Sequence, residues 1–579
     1  MSNNLIVNQK SVRDLFQDKN ADFLIPDYQR PYAWGKDECD TLWDDIFEFA
    51  IPGADATKFN PKDEYFLGPI VTFLNEAKQL EVIDGQQRLT TLLLLLRAFY
   101  DRFGSMQDEN SVKTREAIGK CIWKTDEFGT PDKQTLKINS EVATDNDKEE
   151  FLSILRNGVA GDTQHCRYAV NFRFFQGKIQ EFLDKFPGYF SYLPIRILNN
   201  CILLPIEAES QDTALRIFST LNDRGLPLSD SDIFKAQFYK YYSTNGQKDT
   251  FIDQWKKLEE LCGKIFHPKK GTPVDEVFTR YMYFVRANRG IKNTTTEALR
   301  KFYEQNGYAI LKNEQTFEDL KNLANFWNDV ANQEHERFSE KVLRRLFVLN
   351  YAPNGMWTYF VSVYYMQHKN EDFLNNDEDF YLFLDRMTAF IWAYSIYRPG
   401  VNSLRTPLYQ EMINIVNNES VEFKDFKFDE DELRNLIYAY DFYNQRPITK
   451  SMLAWWAFND DGQELLNIYT PFDIEHIYAT NRASHEGMTD IRALEKLGNK
   501  SLLEKRINIR ASDYKFVDKK KYYEGFNTTQ GVSKEGTKVV ELQKMTHERT
   551  DFTEQDIQAR HKDIIDGFID YLRKNGLLQ

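Results

Sequence analysis

Cysteine is scarce in this chain of 579 residues: Cys39, Cys121, Cys166, Cys201 and Cys262 are scattered without a CxxC pair. That spacing excludes a cysteine-built zinc cage and suits a reducing compartment, the cytoplasm. Long apolar runs are lacking too. The richest, Leu89 to Leu96, is broken by Thr90 and Thr91 and followed by Arg97. It falls well short of the roughly 20 residues that span a bilayer, so no membrane partner is expected. The opening residues, MSNNLIVNQKSVRD, lack the basic-then-apolar order of a secretory leader. No Gly-Lys pair is followed by Ser or Thr, so there is no Walker P-loop. Positive charge is not in excess either. A formal net charge of −14 excludes a protein that coats nucleic acid through its overall charge.

A hydrophobic fraction of 42% with 15% aromatics can fill real cores. The length predicts several domains, and patterning separates three regions of a multidomain α+β protein. Residues 1–240 mix helices with short β-like runs at Tyr65–Phe73, Leu80–Ile83 and Cys201–Ile206, and Leu89–Phe99 reads as a buried helix. The polar stretch Thr125–Lys148 reads as a loop or a small excursion. Residues 241–450 carry aromatic-rich amphipathic segments and read as all-helical. Residues 451–579 form a third region, with the strand-like IYTPFDIEHIY followed by helices.

The most specific N-terminal string is Val82-Ile83-Asp84-Gly85-Gln86-Gln87-Arg88-Leu89-Thr90-Thr91. A short strand ends at Asp84, Gly85 permits a tight turn, and a helix starts near Arg88. Unpaired N–H groups and a partial positive charge make such a helix start a seat for phosphate. Arg88 can fork onto phosphate, while Gln86, Gln87 and Thr90 can add hydrogen bonds. The bland alternative is a turn in which Asp84 caps the helix. Two further strings, Ile25-Pro26-Asp27-Tyr28-Gln29-Arg30-Pro31-Tyr32-Ala33-Trp34 and Phe218-Ser219-Thr220-Leu221-Asn222-Asp223-Arg224-Gly225-Leu226-Pro227, complete a set of three. In order and spacing the set resembles the N-terminal domain of the GmrSD family of modification-dependent (type IV) restriction enzymes. The resemblance implies a ParB-like α/β fold that binds and hydrolyses a nucleoside triphosphate of unspecified base. The Asp84–Arg88 turn then carries the phosphates, and Tyr28, Gln29, Arg30, Asn222, Arg224 and Gly225 line the pocket or support it.

Near the other end stand Phe472-Asp473-Ile474-Glu475-His476-Ile477, then Leu497-Gly498-Asn499-Lys500, Asn508, and Phe516 to Lys520. This series resembles the nuclease half of the same family, which belongs to the ββα-metal (HNH) nucleases. Hydrolysis of a phosphodiester needs a base for water and positive charge at the phosphate. His476 is the candidate base. A divalent ion, Mg²⁺ or Mn²⁺, suits the second need, with Glu475 (or Asp473 in its place) and Asn508 as ligands. Asn499 orients the imidazole or the loop, a role exchangeable with that of Asn508. Between Lys496 and Lys521 nine basic residues face three acidic ones. Such a run is often a solvated helix face; here Lys500, Lys515, Lys519 and Lys520 are expected at DNA phosphates. The family follows Glu-His-Ile with a proline-containing turn, whereas this chain has Tyr478-Ala479-Thr480, and His485 reads as an incidental surface histidine in preference to a substitute ligand.

The combined expectation is a cytoplasmic, NTP-regulated, metal-dependent endonuclease that restricts modified, phage-derived double-stranded DNA, with a homodimer able to cut both strands. The rival is a nucleotide-switched DNA-binding sensor whose nuclease site is degenerate and which acts through a partner.

Overall fold

The three N-terminal runs expected as strands pair into one sheet in the computed structural model, which describes residues 6–579 apart from 143–144, 161–165, 212, 216, 218–228, 371–373, 375, 401, 487 and 489. The chain packs as two compact units, residues 1–257 and 258–579. The strands of the first unit are β1 (Ile6–Val7), β2 (Lys10–Ser11), β3 (Phe23–Ile25), β4 (Tyr65–Leu74), β5 (Leu80–Asp84), β6 (Trp123–Thr125), β7 (Pro131–Leu136), β8 (Ile138–Ser140) and β9 (Cys201–Ala208). The main sheet runs β1-β9-β4-β5-β3-β8, with β2 also on β9. Its centre is β4, parallel to β9 and antiparallel to β5, with Val71 opposite Asp84. The 125–148 stretch is more ordered than a loop. β6 and β7 form a ribbon, and β8 joins the main sheet beside β3.

Leucine packing explains the helix Gln86–Arg102. Leu89 and Leu92 to Leu96 are all at most 1% exposed, as befits a helix apolar on every side. Helices Glu109–Ile122, Lys148–Asn157 and Arg167–Lys185 pack against it. Each such leucine side chain adds about 1.5–3 kcal/mol of burial, so the turn at its N-terminus sits on a firm element.

The second unit opens with helices, from Pro273–Asn288 to Pro447–Phe458. Thr272, Ser339, Asn376 and Asp429 start four of them by accepting a first-turn N–H. Then come β10 (Phe472–His476) and β11 (Lys500–Glu504), an antiparallel pair in which His476 faces Lys500 and Glu475 faces Ser501. The helix Lys505–Ala511 comes directly after β11 and packs on both strands. A small ribbon, β12 (Gly525–Asn527) with β13 (Ser533–Glu535), precedes the helices Val540–Glu548 and Glu554–Lys574. The general α+β class holds. No described helix is long and apolar enough to cross a membrane.

Candidate functional site

In the first unit, Gly85 takes a left-handed φ of 95° at the N-cap of the Gln86 helix, and no side chain caps that end. Asp84 does not act as the cap. Its Oδ1 accepts the Gly85 N–H at 2.7 Å and its Oδ2 pairs with Arg88 Nη2 at 3.2 Å. Burial raises the pKa of Asp84, against the pull of Arg88. A cavity of about 390 Å³ opens over this turn, within the range of small-ligand sites. Gln29, Arg30 and residues 84–88 line one part of it; Trp34, Glu38, Thr41, Asp45, Tyr65 and Phe66 line the rest. Arg30, Arg88 and the uncapped helix start together favour an anion. That end of the cavity fits phosphate, whereas the carboxylates of Glu38, Asp45 and Asp84 on the same lining do not.

Sequence reasoning missed Gly68. With φ +121°, a Cβ there would collide with the Arg88 guanidinium, so glycine makes the room in which Arg88 lies. Its only signal is a Gly-Pro inside a strand run.

Other expected contacts have different partners. Gln86 Nε2 donates to Arg30 O at 2.8 Å. Gln87 Oε1 accepts from Ala33 N and Trp34 N at 2.7 and 3.2 Å. Gln29 Nε2 donates to Ile83 O at 3.2 Å. These three glutamines staple the 28–34 segment to the turn and spend their amides on backbone. Thr90 is wholly buried and does not line the cavity. Tyr28 is 2% exposed in a separate cluster, its hydroxyl on Glu81 Oε1 at 2.6 Å and its ring against Tyr239. It supports β5 from outside the cavity. Asn222, Arg224 and Gly225 lie outside the described residues.

In the second unit, β10 ends at His476, and Asn499 fixes the two residues after it. Ile477 N donates to Asn499 O at 2.9 Å, and Tyr478 N donates to Asn499 Oδ1 at 2.7 Å. Asn499 Nδ2 reaches Tyr478 O and Leu494 O at 3.2 and 3.3 Å. With its amide used in this way, Asn499 holds the loop rather than the imidazole. Gly498 lies against the Glu554–Lys574 helix so closely that a Cβ would strike Ile557 O. From that helix Arg560 Nη1 donates to the carbonyls of Leu497, Gly498 and Lys500, and its other nitrogens pair with Glu541.

The His476 ring is half-buried and no described residue hydrogen-bonds it. Burial, reinforced by the nearby Lys500 ammonium, brings its pKa down to about 4. The imidazole is therefore neutral near pH 7, with a lone pair available to take a proton. Asn508 stands on the helix that packs over β10 and β11, and its side chain is half-buried. Asp513, which no motif in the sequence marks, is exposed, and its charge acts on both Glu475 and His476.

Two lysines expected at DNA phosphates point inward. Lys500 is fully buried and donates to Phe442 O, Asn444 Oδ1 and Glu495 Oε2 at 2.6–2.8 Å. Lys519 is 1% exposed and donates to Glu475 Oε1 at 2.6 Å and His476 O at 2.5 Å. Lys515 stays exposed, and Lys520 donates to Arg549 O.

Glu475 is the expected metal ligand, yet its Oε1 also accepts the buried Tyr523 hydroxyl at 2.6 Å. A divalent ion on that oxygen would stand beside an ammonium. Two unit charges 4 Å apart repel by about 4 kcal/mol even at an effective dielectric of about 20, and the ion carries twice that charge. Only Oε2 of Glu475 is left outside these contacts. Among the described residues no three His, Cys, Asp or Glu side chains are gathered to hold a metal ion. The expected pairing of Glu475 with Asn508 therefore does not by itself fit a divalent ion.

No curated protein matches the chain. Two family models do. The model of the GmrSD restriction endonuclease N-terminal domain matches residues 12–239, and that of the C-terminal domain of GmrSD restriction endonucleases matches residues 420–566. The first contains the Gln86 helix start and its cavity; the second contains β10, Asn499, the helix Lys505–Ala511 and Lys519. The two matches cover well over half of the sequence in the family's own order, and the chain belongs to the GmrSD restriction endonuclease family, whose target is DNA.

Proposed function

We propose that the chain is an NTP-regulated endonuclease that restricts modified foreign double-stranded DNA, with His476 as general base. The observation that carries this is a half-buried imidazole at the end of β10 that no described residue hydrogen-bonds, with burial holding its pKa down. The antiparallel strand pair followed at once by a helix supports an HNH-type reading of the region. In the proposed reaction His476 takes a proton from water. The resulting hydroxide attacks phosphorus, and the bond from phosphorus to the leaving oxygen breaks. That oxygen takes a proton from solvent water, and the imidazolium returns its proton to solvent. Asn499 keeps the loop after His476 in one conformation while this happens. Lys505, Arg506 and Lys521 are exposed cations available to flanking phosphates, and Lys515 is exposed beside its partner Glu486.

Dependence on Mg²⁺ or Mn²⁺ belongs to the proposal on chemical grounds, because hydrolysis concentrates charge on the phosphate. Exhaustive EDTA treatment should abolish cutting, and either ion should restore it. In the first unit the cavity over the Asp84–Arg88 turn is the proposed NTP site, its anion-favouring end supplied by Arg30, Arg88 and the uncapped helix. A homodimer would present two such nuclease centres to the two strands.

His476→Ala tests the central assignment. The variant should fold, bind DNA as the parent does and fail to nick susceptible DNA. Parental cutting by a well-folded His476→Ala protein would remove the role.

A further inference from the structure

Lys519 and Tyr523 stand one turn apart on the helix Phe516–Glu524, and both reach the same oxygen of Glu475. Lys519 also donates to the main-chain carbonyl of His476. The residue read as the base is therefore gripped through its backbone from two sides. Lys519 holds its carbonyl, and Asn499 holds the next two N–H groups. Among the described residues no carboxylate hydrogen-bonds the ring as one does in a His–Asp pair. Its direction depends on that backbone.

We propose that Lys519 and Tyr523 are positioning residues for His476 and that Glu475 is their anchor rather than a ligand of a divalent ion. This rests on the reading of His476 as general base. A buried carboxylate needs a partner, and here the partner is built into the chain. The ammonium and the Tyr523 hydroxyl both take Oε1, so a metal could reach Glu475 only through Oε2, beside the same ammonium. A metal, where one binds, takes other donors.

The experiment uses the full chain with Glu475→Gln, Tyr523→Phe and Lys519→Met, each checked for folding by thermal unfolding. Cleavage is followed to separate kcat from KM, and Mn²⁺ binding is measured without DNA by the loss of the free-ion spin-resonance signal. Glu475→Gln and Tyr523→Phe should lower kcat ten- to a hundred-fold. KM for DNA and the affinity for Mn²⁺ should stay within about twofold of the parent. A tenfold or greater loss of Mn²⁺ affinity in Glu475→Gln would overturn the anchor role, as would unchanged kcat in both variants. Tyr523→Phe removes one oxygen only, so it decides the matter even where Lys519→Met fails to fold. Where the parent binds Mn²⁺ only with DNA present, the same comparison of parent and Glu475→Gln is made on the DNA complex. A parent that binds Mn²⁺ and cuts no DNA sinks the general-base reading instead, and the Mn²⁺ comparison still judges Glu475.

Discussion

At the scale of single residues, the protonation of histidine makes a measurable claim. An ordinary histidine titrates near 6.5, whereas burial holds His476 down to about 4. The base form is the neutral one, so cutting should persist well below pH 6 and fall only as pH approaches 4. A plot of log kcat/KM against pH should place the acid limb there; a limb at 6.5 would contradict the environment described. His561 is held to about 4 by its own burial. Between pH 6.5 and 4 the unfolded chain then binds protons that the folded chain refuses. Stability against urea should fall as pH drops through that window. The motif around His476 stood out in the sequence through its resemblance to the family, since a lone histidine of this kind reads as an ordinary half-buried one. The inward turn of Lys500 and Lys519 was not legible. A lysine's partner is set by what packs above it, and Glu475 lies 44 residues from Lys519 in sequence.

Among the elements, the strands at 65–74, 80–84 and 201–208 and the leucine-rich helix could be read from periodicity and apolar content. The pairing between them could not. The order β9-β4-β5-β3 joins strands from opposite ends of the first unit. For the same reason the glutamines of the Asp84–Arg88 turn looked like phosphate ligands. Their partners, at residues 30–34, are more than fifty positions away. Gly68 gives this level its test. Gly68→Ala forces a Cβ into a left-handed conformation and against the Arg88 guanidinium. It should cost about 1 kcal/mol or more of stability and weaken nucleotide binding about as much as loss of Arg88 itself. Calorimetric titration of the two variants with NTP checks this. Parental affinity in a folded Gly68→Ala protein would mean that Arg88 does not hold phosphate.

For the whole molecule, the question is whether nucleotide and DNA cutting are linked. Arg88→Ala should weaken NTP binding by roughly ten- to a hundred-fold, the worth of a charge-assisted contact of about 1.5–3 kcal/mol. If occupancy biases the nuclease, cleavage should change in the same variant and recover at high NTP. Turnover and cleavage measured side by side decide it. Lost turnover with unaltered cleavage at every NTP concentration would leave two independent activities. Within the second unit, Arg560 braces the loop carrying Asn499 by reaching a carbonyl 62 residues upstream. During synthesis, the strand bearing His476 and the loop beside it leave the ribosome well before that brace exists. Until the later helix arrives, the nascent chain holds a histidine without a fixed aim. The loop beside His476 is therefore braced only once the segment around residue 560 has been made.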